Sequence, residues 1–405
     1  MKRWKKISLV LLGLILISQL PFVYRRRQLS RLRETIAALN AQRALDQNSA
    51  PFADYKGVIH VHSMLGGHSA GNFADIISAA NTNRLDFVVM TEHPSAYFDT
   101  AQMTLKGTQA GLLFINGSEI SAANGERLLL MPGDGTANAS GAATAQEIIA
   151  RARAQNRLAF VAYPQEYRSL DAKDYDGIEV YNLYTNARRA NPVMLFFDGL
   201  WSYRSFPDLL FSRFYERPSE SLKKWDELLA TVEGRRLVAI AGNDAHANIG
   251  FGLADATGKQ WLGIKLDPYE RSFAIVRNHV LLEKNQPLNT DALLKALAAG
   301  HSYLSFDIFC DAAGFSYTAR NATESRMMGD EIQLSDGVRL TVRTPVRSRI
   351  KLIKDGAMLR EESIGNATEF PITQKGVYRI EAYLDQLPDT LRDKPWIISN
   401  PIYIK

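Results

Sequence analysis

The segment Val58-Ile-His-Val-His-Ser-Met-Leu-Gly-Gly-His68 places three histidines close together in a chain that has only seven. His60 and His62 end a short apolar run that is typical of a buried strand, so both side chains are expected on one face of it. His68 follows Gly66-Gly67, which gives the loop the freedom to fold back over that face. Two imidazoles at the same height can bind one ion, and the segment therefore predicts a metal site at a strand end.

Apolar runs of the same kind recur along the chain and predict the fold. Between residues 55 and 242 they lie at 57–61, 86–90, 112–116, 127–131, 158–163, 177–181 and 237–241. Stretches with helical spacing lie between several of them, at 72–82 and 144–156. Continuous apolar runs are typical of parallel strands buried on both faces, and their alternation with helices predicts βα units. We therefore predict an α/β fold with a barrel of the TIM type and a site at the carboxyl ends of its strands.

Metal-binding residue types follow several of these predicted strands. Thr91-Glu-His93, Gly117-Ser-Glu119 and Asp244-Ala-His246 each come directly after an apolar run. Five of the seven histidines thus lie just beyond predicted strands, whereas unrelated histidines would scatter over helices and loops. Imidazole and carboxylate donors without thiolate suit zinc, manganese or iron. The other two histidines, His279 and His301, lie outside the pattern and are predicted to be structural.

Length, composition and charge limit the classes of protein to which the chain can belong. The chain has 405 residues, enough for two folded units, and 46% of them are hydrophobic, which is enough to bury a core. The net charge is +5, but much of it lies near the N-terminus, so a nucleic-acid surface is not predicted. The single cysteine, Cys310, cannot form an intrachain disulfide or a thiolate metal cluster.

The N-terminal segment has the pattern of a membrane anchor. Ile7 to Tyr24 form an uncharged apolar run between basic flanks, and its length is about the minimum for a spanning helix. A cleaved signal peptide is the alternative, but no small-x-small cleavage pattern follows the run. We predict a single-pass anchor that leaves the N-terminus in the cytoplasm and the bulk of the chain outside it. Residues 25–50 predict a helical stalk that ends at Pro51.

Two further segments differ in character from the barrel predicted at 51–310. Residues 182–233 are too long for a simple βα connection and are rich in aromatic residues. They are predicted to form an inserted helical subdomain, with a lid or a membrane-facing surface as the alternative. After a helix at 289–299, the tail at 311–405 alternates polar and apolar residues between turn signals, which predicts a small antiparallel β-sandwich used for packing or docking.

The ordered motifs resemble a known family. His60-Val-His62, the histidine six residues on, Thr-Glu-His93, Gly-Ser-Glu119 and Asp244-Ala-His246 are similar to the PHP superfamily, the polymerase and histidinol phosphatase metallohydrolases, over about 56–310. The segment 296–306 and the ending at 396–402 resemble a bacterial branch that includes carbaryl-hydrolase-like enzymes. The resemblance implies a distorted seven-stranded barrel and a metal-dependent hydrolase that usually acts on phosphoesters. Because this branch is bacterial, it also implies an anchor in a bacterial inner membrane, with the barrel in the periplasm.

The resemblance also implies which residues bind the ions. One ion would be bound by His60, His62, Glu119 and Asp244, and a second by His68, His93 and His246. Many members bind a third ion through two further histidines, but Arg127 and Tyr163 stand at those positions, which implies that the third ion is missing. Arg127 is then expected to bind a phosphate oxygen, and Tyr163 to donate a hydrogen bond or act as an acid. The same two substitutions also fit a chain whose activity has decayed.

The expected function is phosphoester hydrolysis by a metal-bound hydroxide. Bound divalent ions lower the pKa of water to roughly 7, which supplies a nucleophile at neutral pH. Asp244 would move the proton of the nucleophile, and Tyr163, His93 or His246 would protonate the leaving group. The substrate would be a small molecule or a lipid headgroup. A carbamate, amide or carboxylic-ester substrate is the first alternative, and a non-catalytic membrane-tethered binding or sensing protein is the second.

Overall fold

The computed structural model describes residues 2–43, 52–136, 142–166, 172–188, 191–231, 236–248, 250–254, 260–265, 267–335 and 337–405. The end of the predicted stalk, at 44–50, and Pro51 lie outside these residues. The described helices are α1 (Lys2–Ala41), α2 (Phe73–Thr82), α3 (Thr100–Met103), α4 (Ala145–Ala154), α5 (Leu183–Arg188), α6 (Pro192–Ser202), α7 (Ser219–Thr231), α8 (Tyr269–Ile275), α9 (Thr290–Ala299) and α10 (Asp389–Arg392). Short 3₁₀ segments lie at Met64–Gly66, Pro164–Glu166 and Leu209–Phe214.

The first part of the chain has twelve described strands, and seven of them form a closed barrel. The twelve strands are β1 (Phe52–Val61), β2 (Phe87–Glu92), β3 (Gly107–Gln109), β4 (Leu112–Ser121), β5 (Arg127–Met131), β6 (Leu158–Ala162), β7 (Gly177–Asn182), β8 (Val238–Ala245), β9 (Gly250–Ala254), β10 (Gln260–Lys265), β11 (Arg277–Glu283) and β12 (Ser302–Ser305). Strands β1, β2, β4, β5, β6, β7 and β8 pair in that order, and β8 pairs with β1. Within the described residues these seven strands close the barrel, and each overlaps one of the predicted apolar runs.

The barrel departs from the predicted TIM type at one strand. β4 and β5 pair antiparallel, with Ser118 opposite Leu130, and β5 is also antiparallel to β6. The other neighbouring strands of the barrel are parallel. Parallel neighbours need a crossover of a dozen or more residues, and residues 122–126 are long enough only for a hairpin. The prediction of βα units throughout is therefore wrong at β5, and the fold is a mixed α/β barrel.

The inside of the barrel is apolar at one end and charged at the other. Alternate side chains of the barrel strands, such as Ile59, Phe87 and Ile240, form one buried cluster that α9 covers with Leu293 and Leu297. In β7 the inward position opposite Ile240 is occupied by Glu179, which is buried. A buried carboxylate is costly unless a cation or hydrogen-bond donors compensate it, so this end of the barrel needs compensating partners.

Helix α1 runs without interruption from the apolar segment into the predicted stalk. It is long and apolar enough to cross a membrane, with a mean hydropathy of 2.2 in its most apolar window, and no residue of that window is buried inside the molecule. Its second half packs against the body of the protein through Leu29, Leu32 and Leu39, which are buried. The helix thus has one exposed apolar half and one half that packs on the body of the protein.

The C-terminal strands form two packed sheets. They are β13 (Ser316–Arg320), β14 (Ser325–Met327), β15 (Glu331–Ile332), β16 (Arg339–Arg343), β17 (Ser348–Lys354), β18 (Ala357–Ile364), β19 (Ala367–Pro371), β20 (Gly376–Tyr383), β21 (Ile397–Ser399) and β22 (Ile402–Ile404). β14, β13, β16 and β19 form one sheet, whereas β20 and β21 continue the barrel's own sheet through β12. Inward residues of both sheets, including Tyr317, Leu340 and Ile380, share one core. Apart from β15, which is parallel to β22, the pairings are antiparallel, and the domain division at 310/311 stays a prediction.

Candidate metal centre

The predicted ligands meet at the charged end of the barrel. They are His60 in β1, His62 directly after it, His68 after the first 3₁₀ segment, His93 after β2, Glu119 in β4, Asp244 in β8 and His246 after β8. β4 extends to Ser121 and β8 to Ala245. Glu119 and Asp244 therefore lie within strands rather than beyond them, because both strands are longer than their apolar runs indicate.

His60 lies in an irregularity of β1. The register shifts between Ile59 and Val61 against both neighbouring strands, and His60 adopts a φ of 69°. Asp244 and Tyr163, with φ values of 48° and 50°, share this left-handed conformation, which costs a non-glycine residue roughly 1–3 kcal/mol. His60 and His62 thus both face the site because of a bulge in β1 rather than along a regular strand.

The first donor group is fully buried. Four residues contribute one donor atom each, and these atoms lie within 4.8 Å of one another: His60, His62, Glu119 and Asp244. His60 Nε2 is 3.2 Å from Glu119 Oε2 and 3.5 Å from Asp244 Oδ1. His62 Nε2 is 3.3 Å and 3.5 Å from the same two oxygens. Two imidazole nitrogens and two carboxylate oxygens around one point form a donor set that binds a divalent transition metal.

The second donor group lies beside the first and shares His62 with it. Donor atoms of His62, His68 and His246 lie within 4.8 Å of one another. His68 Nε2 is 2.7 Å from His246 Nε2 and 3.2 Å from His93 Nε2, and His93 Nε2 is 3.3 Å from Glu119 Oε2. His93 therefore lies between the two groups. Ring nitrogens this close need a cation or a shared proton between them, because their lone pairs repel.

Unpaired polar atoms show that these residues fit a metal. Both ring nitrogens of His62 and Oδ1 of Asp244 are buried. None of these three atoms has a hydrogen-bond partner within the described residues. A buried polar atom without a partner costs about 1–3 kcal/mol, and almost all such atoms in proteins are paired. His62 Nε2 and Asp244 Oδ1 both belong to the first donor group, so a bound cation would satisfy them together.

Hydrogen bonds from Nδ1 to nearby oxygens orient three of the other histidines. His60 Nδ1 lies 2.6 Å from Glu179 Oε1, His246 Nδ1 lies 2.8 Å from the main-chain oxygen of Asp244, and His93 Nδ1 lies 3.2 Å from that of Glu119. When Nδ1 donates its proton to these oxygens, the lone pair of Nε2 points into the donor groups. This arrangement is the usual way in which proteins fix the tautomer of a metal-binding histidine.

The carboxylates also set the charge of the centre. Burial lowers the pKa of His60, but the charges of Glu179, Asp244 and Glu119 outweigh it and raise that pKa well above its usual value. Burial lowers the pKa of His93 and that of His246 to about 4. Those two imidazoles are therefore neutral at pH 7 and available as ligands, while the carboxylates attract positive charge to the first donor group.

Arg127 and Tyr163 lie side by side next to the two carboxylate ligands. The Arg127 guanidinium donates to Glu119 Oε1 at 3.0 Å and lies 5.5 Å from the centre of the Tyr163 ring. The Tyr163 hydroxyl donates to Asp244 Oδ2 at 2.7 Å, while Asp244 Oδ1 is left facing the donor group. Burial and the nearby Asp244 charge raise the pKa of Tyr163. The hydroxyl stays protonated and orients Asp244, which favours the hydrogen-bonding role over that of an acid.

Two carboxylates that contribute to the centre were missed in the sequence. Glu179 contacts His60, and any side chain on Gly242 would collide with its carboxylate. Glu92 accepts hydrogen bonds from the amide and hydroxyl of Ser63, at 3.1 Å and 2.6 Å, and from the Thr104 hydroxyl. It therefore anchors the loop that carries His68. The signal for Glu179 was an acid inside the predicted strand at 177–181, whereas Glu92 lies just beyond the predicted strand at 86–90, directly before His93.

Glu179→Gln is expected to weaken metal binding by about 10–100-fold, because partners of metal-binding histidines typically contribute that much. The amide cannot stabilise the Nδ1 proton of His60 as a carboxylate does. The measurement is competition for zinc against a coloured chelator. Glu166→Gln makes the same chemical change on the pocket wall and is expected to leave the affinity as it is. Equal affinities in the wild-type chain and Glu179→Gln would contradict the orienting role.

A pocket of about 300 Å³ opens over the donor groups. The residues that line it are His68, His93, Glu119, Arg127, Tyr163, Glu166, Tyr184, Thr185, Arg188, Asp244, His246 and Asn248. Arg127, at the start of β5, and Arg188, at the end of α5, both line the pocket. The donor groups lie at its base. A small ligand with an anionic group fits such a pocket, since arginine pairs with phosphate and carboxylate oxygens.

The two histidines predicted to be structural lie apart from the centre. His279 is buried between Asp54 and Asp307, with Nδ1 2.8 Å from Asp54 Oδ1 and Nε2 3.4 Å from Asp307 Oδ2. Arg277 also pairs with Asp307, at 3.2 Å. His301 is partly exposed and pairs with Asp330 at 2.9 Å. In both places hydrogen bonds use the ring nitrogens, so the structural interpretation fits their surroundings.

No protein-family model matches the chain, and no curated protein matches it. Several solved structures are similar to the chain, among them the following three. PsfC from Pseudomonas syringae is 14% identical, with 62% of this chain and 91% of that chain covered, at a TM-score of 0.35. The lesion-specific endonuclease Q from Pyrococcus furiosus is 14% identical over 68% and 64% of the two chains, at 0.36. Endonuclease Q in complex with a 27-mer duplex bearing an abasic lesion is 16% identical over 60% and 56%, at 0.35. The chain thus spans less than two thirds of both endonuclease Q chains, and the likenesses are distant.

Proposed function

We propose that the chain is a metal-dependent hydrolase whose active site is the charged end of the barrel. The observation that carries this proposal is the first donor group. Two imidazoles and two carboxylates are buried together, and His62 Nε2 and Asp244 Oδ1 have no hydrogen-bond partner among the described residues. A purely structural cluster would pair these atoms, as the cluster around His279 does. We keep the ligand sets of the sequence prediction, with two ions per chain, as part of the proposal.

A phosphoester is the substrate that the pocket favours. Arg127 and Arg188 line it above the donor groups, and the side chain of Arg127 is 44% exposed, so its guanidinium is accessible from the pocket. Guanidinium groups pair with phosphate oxygens in two-pronged contacts. A neutral carboxylic ester or amide offers no comparable anion to these arginines, which supports the phosphoester over the first alternative.

Each residue around the donor groups then has a distinct task. Bound divalent ions would supply Lewis acidity, which makes a nucleophile available near neutral pH and offsets negative charge on the phosphoryl group. Glu179 holds His60 in its binding orientation, and Tyr163 holds Asp244. Asp244 is placed to accept a proton beside the donor groups, and Arg127 to bind a phosphoryl oxygen. The leaving group would be protonated by a group from the pocket wall or by water.

Helix α1 supports the membrane part of the proposal. Its exposed apolar segment would span the membrane, and the barrel would lie on the side of Arg25-Arg26-Arg27. We retain the bacterial inner membrane and the periplasm as the proposed location. The substrate could then be a soluble phosphoester or one carried by a lipid.

The test uses the full chain purified in detergent micelles. Its metal content is measured by elemental analysis, and hydrolysis of p-nitrophenyl phosphate, bis-p-nitrophenyl phosphate and p-nitrophenyl acetate is compared with zinc and with manganese. We expect bound metal and faster cleavage of a phosphoester than of the acetate. Faster cleavage of the acetate would favour the ester alternative, and bound metal without cleavage of a wider phosphoester panel would favour the sensor. A chain that binds no metal would contradict all three.

Arg127→Ala is expected to lower phosphoester cleavage on the order of 10²-fold, which is the usual cost of removing one donor to the developing charge. The metal content should not change, because the donor atoms do not include Arg127. Arg127→Lys keeps the charge but loses the planar fork and should recover part of the rate. The measurement is kcat/KM beside elemental analysis. Metal loss in Arg127→Ala would instead mean that the arginine mainly stabilises Glu119, to which it donates at 3.0 Å.

A further inference from the structure

Helix α6 turns its apolar face outward. Val193, Phe196 and Leu200 lie on one side of it, at intervals of three and four residues, and are 64%, 57% and 70% exposed. The opposite side carries Asp198 and Ser202, which are buried. A surface helix of a soluble protein normally has the reverse arrangement, with the apolar stripe in the core. A contiguous apolar surface of this kind marks a binding surface for another apolar partner.

The same helix packs against the end of the apolar segment of α1. The rings of Phe197 and Phe22 lie 5.1 Å apart, and Trp201 Nε1 donates to Gln19 Oε1 at 2.9 Å. Asp198 accepts from Arg25, at 3.4 Å. The contacts cover Gln19 to Arg25 of α1, which corresponds to roughly 9 Å along a helix axis. They therefore lie where the apolar run gives way to the arginines, the depth of a membrane–water interface.

We propose that α6 is an interfacial membrane helix that seats the barrel on the bilayer beside α1, so that the site acts on phosphoesters carried by lipids. Amphipathic helices of this type bury an apolar face about 5–10 Å into the interface, and the exposed residues of α1 next to it, such as Leu16 and Leu20, would share the same apolar layer. Trp201 beside Gln19 fits the interfacial preference of tryptophan. The substrate class in this inference rests on the proposed hydrolase function, whereas the membrane contact does not.

The chain connects this surface to the pocket over a short distance. Tyr184, Thr185 and Arg188 of α5 line the pocket, and α6 starts at Pro192. Four residues of extended chain reach at most roughly 14 Å, so the start of α6 lies within that distance of Arg188. A lipid held in the bilayer surface could thus present its phosphate to the pocket wall without leaving the membrane.

Position 200 allows a direct test of the membrane contact. Leu200→Cys in the full chain, labelled with an environment-sensitive fluorophore and reconstituted in phosphatidylcholine vesicles, should be quenched by nitroxide-bearing lipids and protected from aqueous iodide. The exposed Leu359 of β18 provides the control position, and Leu359→Cys should show the opposite pattern. Labelling of the buried native Cys310 would give a background signal. This background is measured on the chain without an added cysteine. Equal iodide quenching at both positions would overturn the proposal. Protection of the label at position 200 from both quenchers would also overturn it, because a second copy of the chain would then cover this face.

The substrate class has its own test. Phosphodiesters of p-nitrophenol with a methyl group or with a long alkyl chain carry the same reacting centre in water or in the bilayer. Leu200→Glu should lower the rate on the long-chain compound about tenfold or more, the equivalent of losing one buried leucine, while the rate on the methyl compound stays within about twofold. Leu359→Glu should change neither. Equal losses on both compounds would overturn the lipid-borne substrate. Cleavage of neither compound by any variant, together with failure of the wider phosphoester panel, would refute the hydrolase function while the quenching result stands.

Discussion

His62→Ala is expected to abolish metal binding at the first donor group, to weaken it at the second, and to lower phosphoester cleavage about 10³-fold or more. His62 is the residue that the two groups share, and its ring stacks on that of His246 with centroids 4.4 Å apart. Its removal takes a ligand from the first ion and leaves a cavity beside His246, a proposed ligand of the second. The charge stabilisation lost with the metal is worth several kcal/mol, and each 1.4 kcal/mol is a factor of ten in rate. Elemental analysis and kcat/KM for bis-p-nitrophenyl phosphate measure the two effects.

His301→Ala is the matched control for this experiment. It removes the same imidazole from a position outside the donor groups, where His301 pairs with Asp330. Metal content and activity should both remain near those of the unchanged chain. If His62→Ala kept its metal and its activity, the shared position of His62 would have no chemical role and the two-ion proposal would fail. Loss of activity with full metal content would assign His62 to the substrate instead of the ions.

The donor residues could be predicted because each one interrupts or follows an apolar run with a polar side chain. His60, His93 and Asp244 lie at or near the ends of strands that the runs predict, and parallel strands bring their carboxyl ends to one edge. Glu179 could not be assigned in the same way. Its run, at 177–181, has the pattern of any buried strand, and its role depends on the pairing of β7 with β8, which places its carboxylate against His60.

The reversed direction of β5 was harder to predict from its own residues. The run at 127–131 is equally apolar in a parallel and in an antiparallel strand, so periodicity does not distinguish the two. The useful signal was the preceding turn, where Asn124-Gly125 is a typical hairpin pair and Gly125 adopts a φ of 84°. The reversal places Arg127, the first residue of β5, at the same end of the barrel as Glu119. This explains how a residue that starts a strand reaches a site built from strand ends.

His279→Ala is expected to lower the free energy of unfolding by about 3–5 kcal/mol, the usual cost of removing one partner from a buried ion pair. His279 is fully buried, and its ring stacks on Tyr303 with centroids 4.6 Å apart. Its loss leaves Asp307 with fewer compensating partners and opens a cavity. Urea titration of the full chain in detergent measures the change. In contrast, the partly exposed pair of His301 should contribute only about 0–1 kcal/mol, so His301→Ala again serves as the control.

The pH dependence of the stability difference between the unchanged chain and His279→Ala tests whether the charge of His279 causes that difference. Burial lowers the pKa of His279, but Asp54 and Asp307 outweigh it and raise the pKa to about 10. Because the folded value lies above the unfolded one, near 6.5, the protonated imidazole stabilises the fold fully below pH 6.5, and this contribution is lost as the pH rises through 10. The stability difference between the unchanged chain and His279→Ala should therefore be largest near pH 6 and shrink by pH 10. A difference that stays constant over this range would mean that His279 stabilises the fold by packing alone, and that the two aspartates do not depend on its charge.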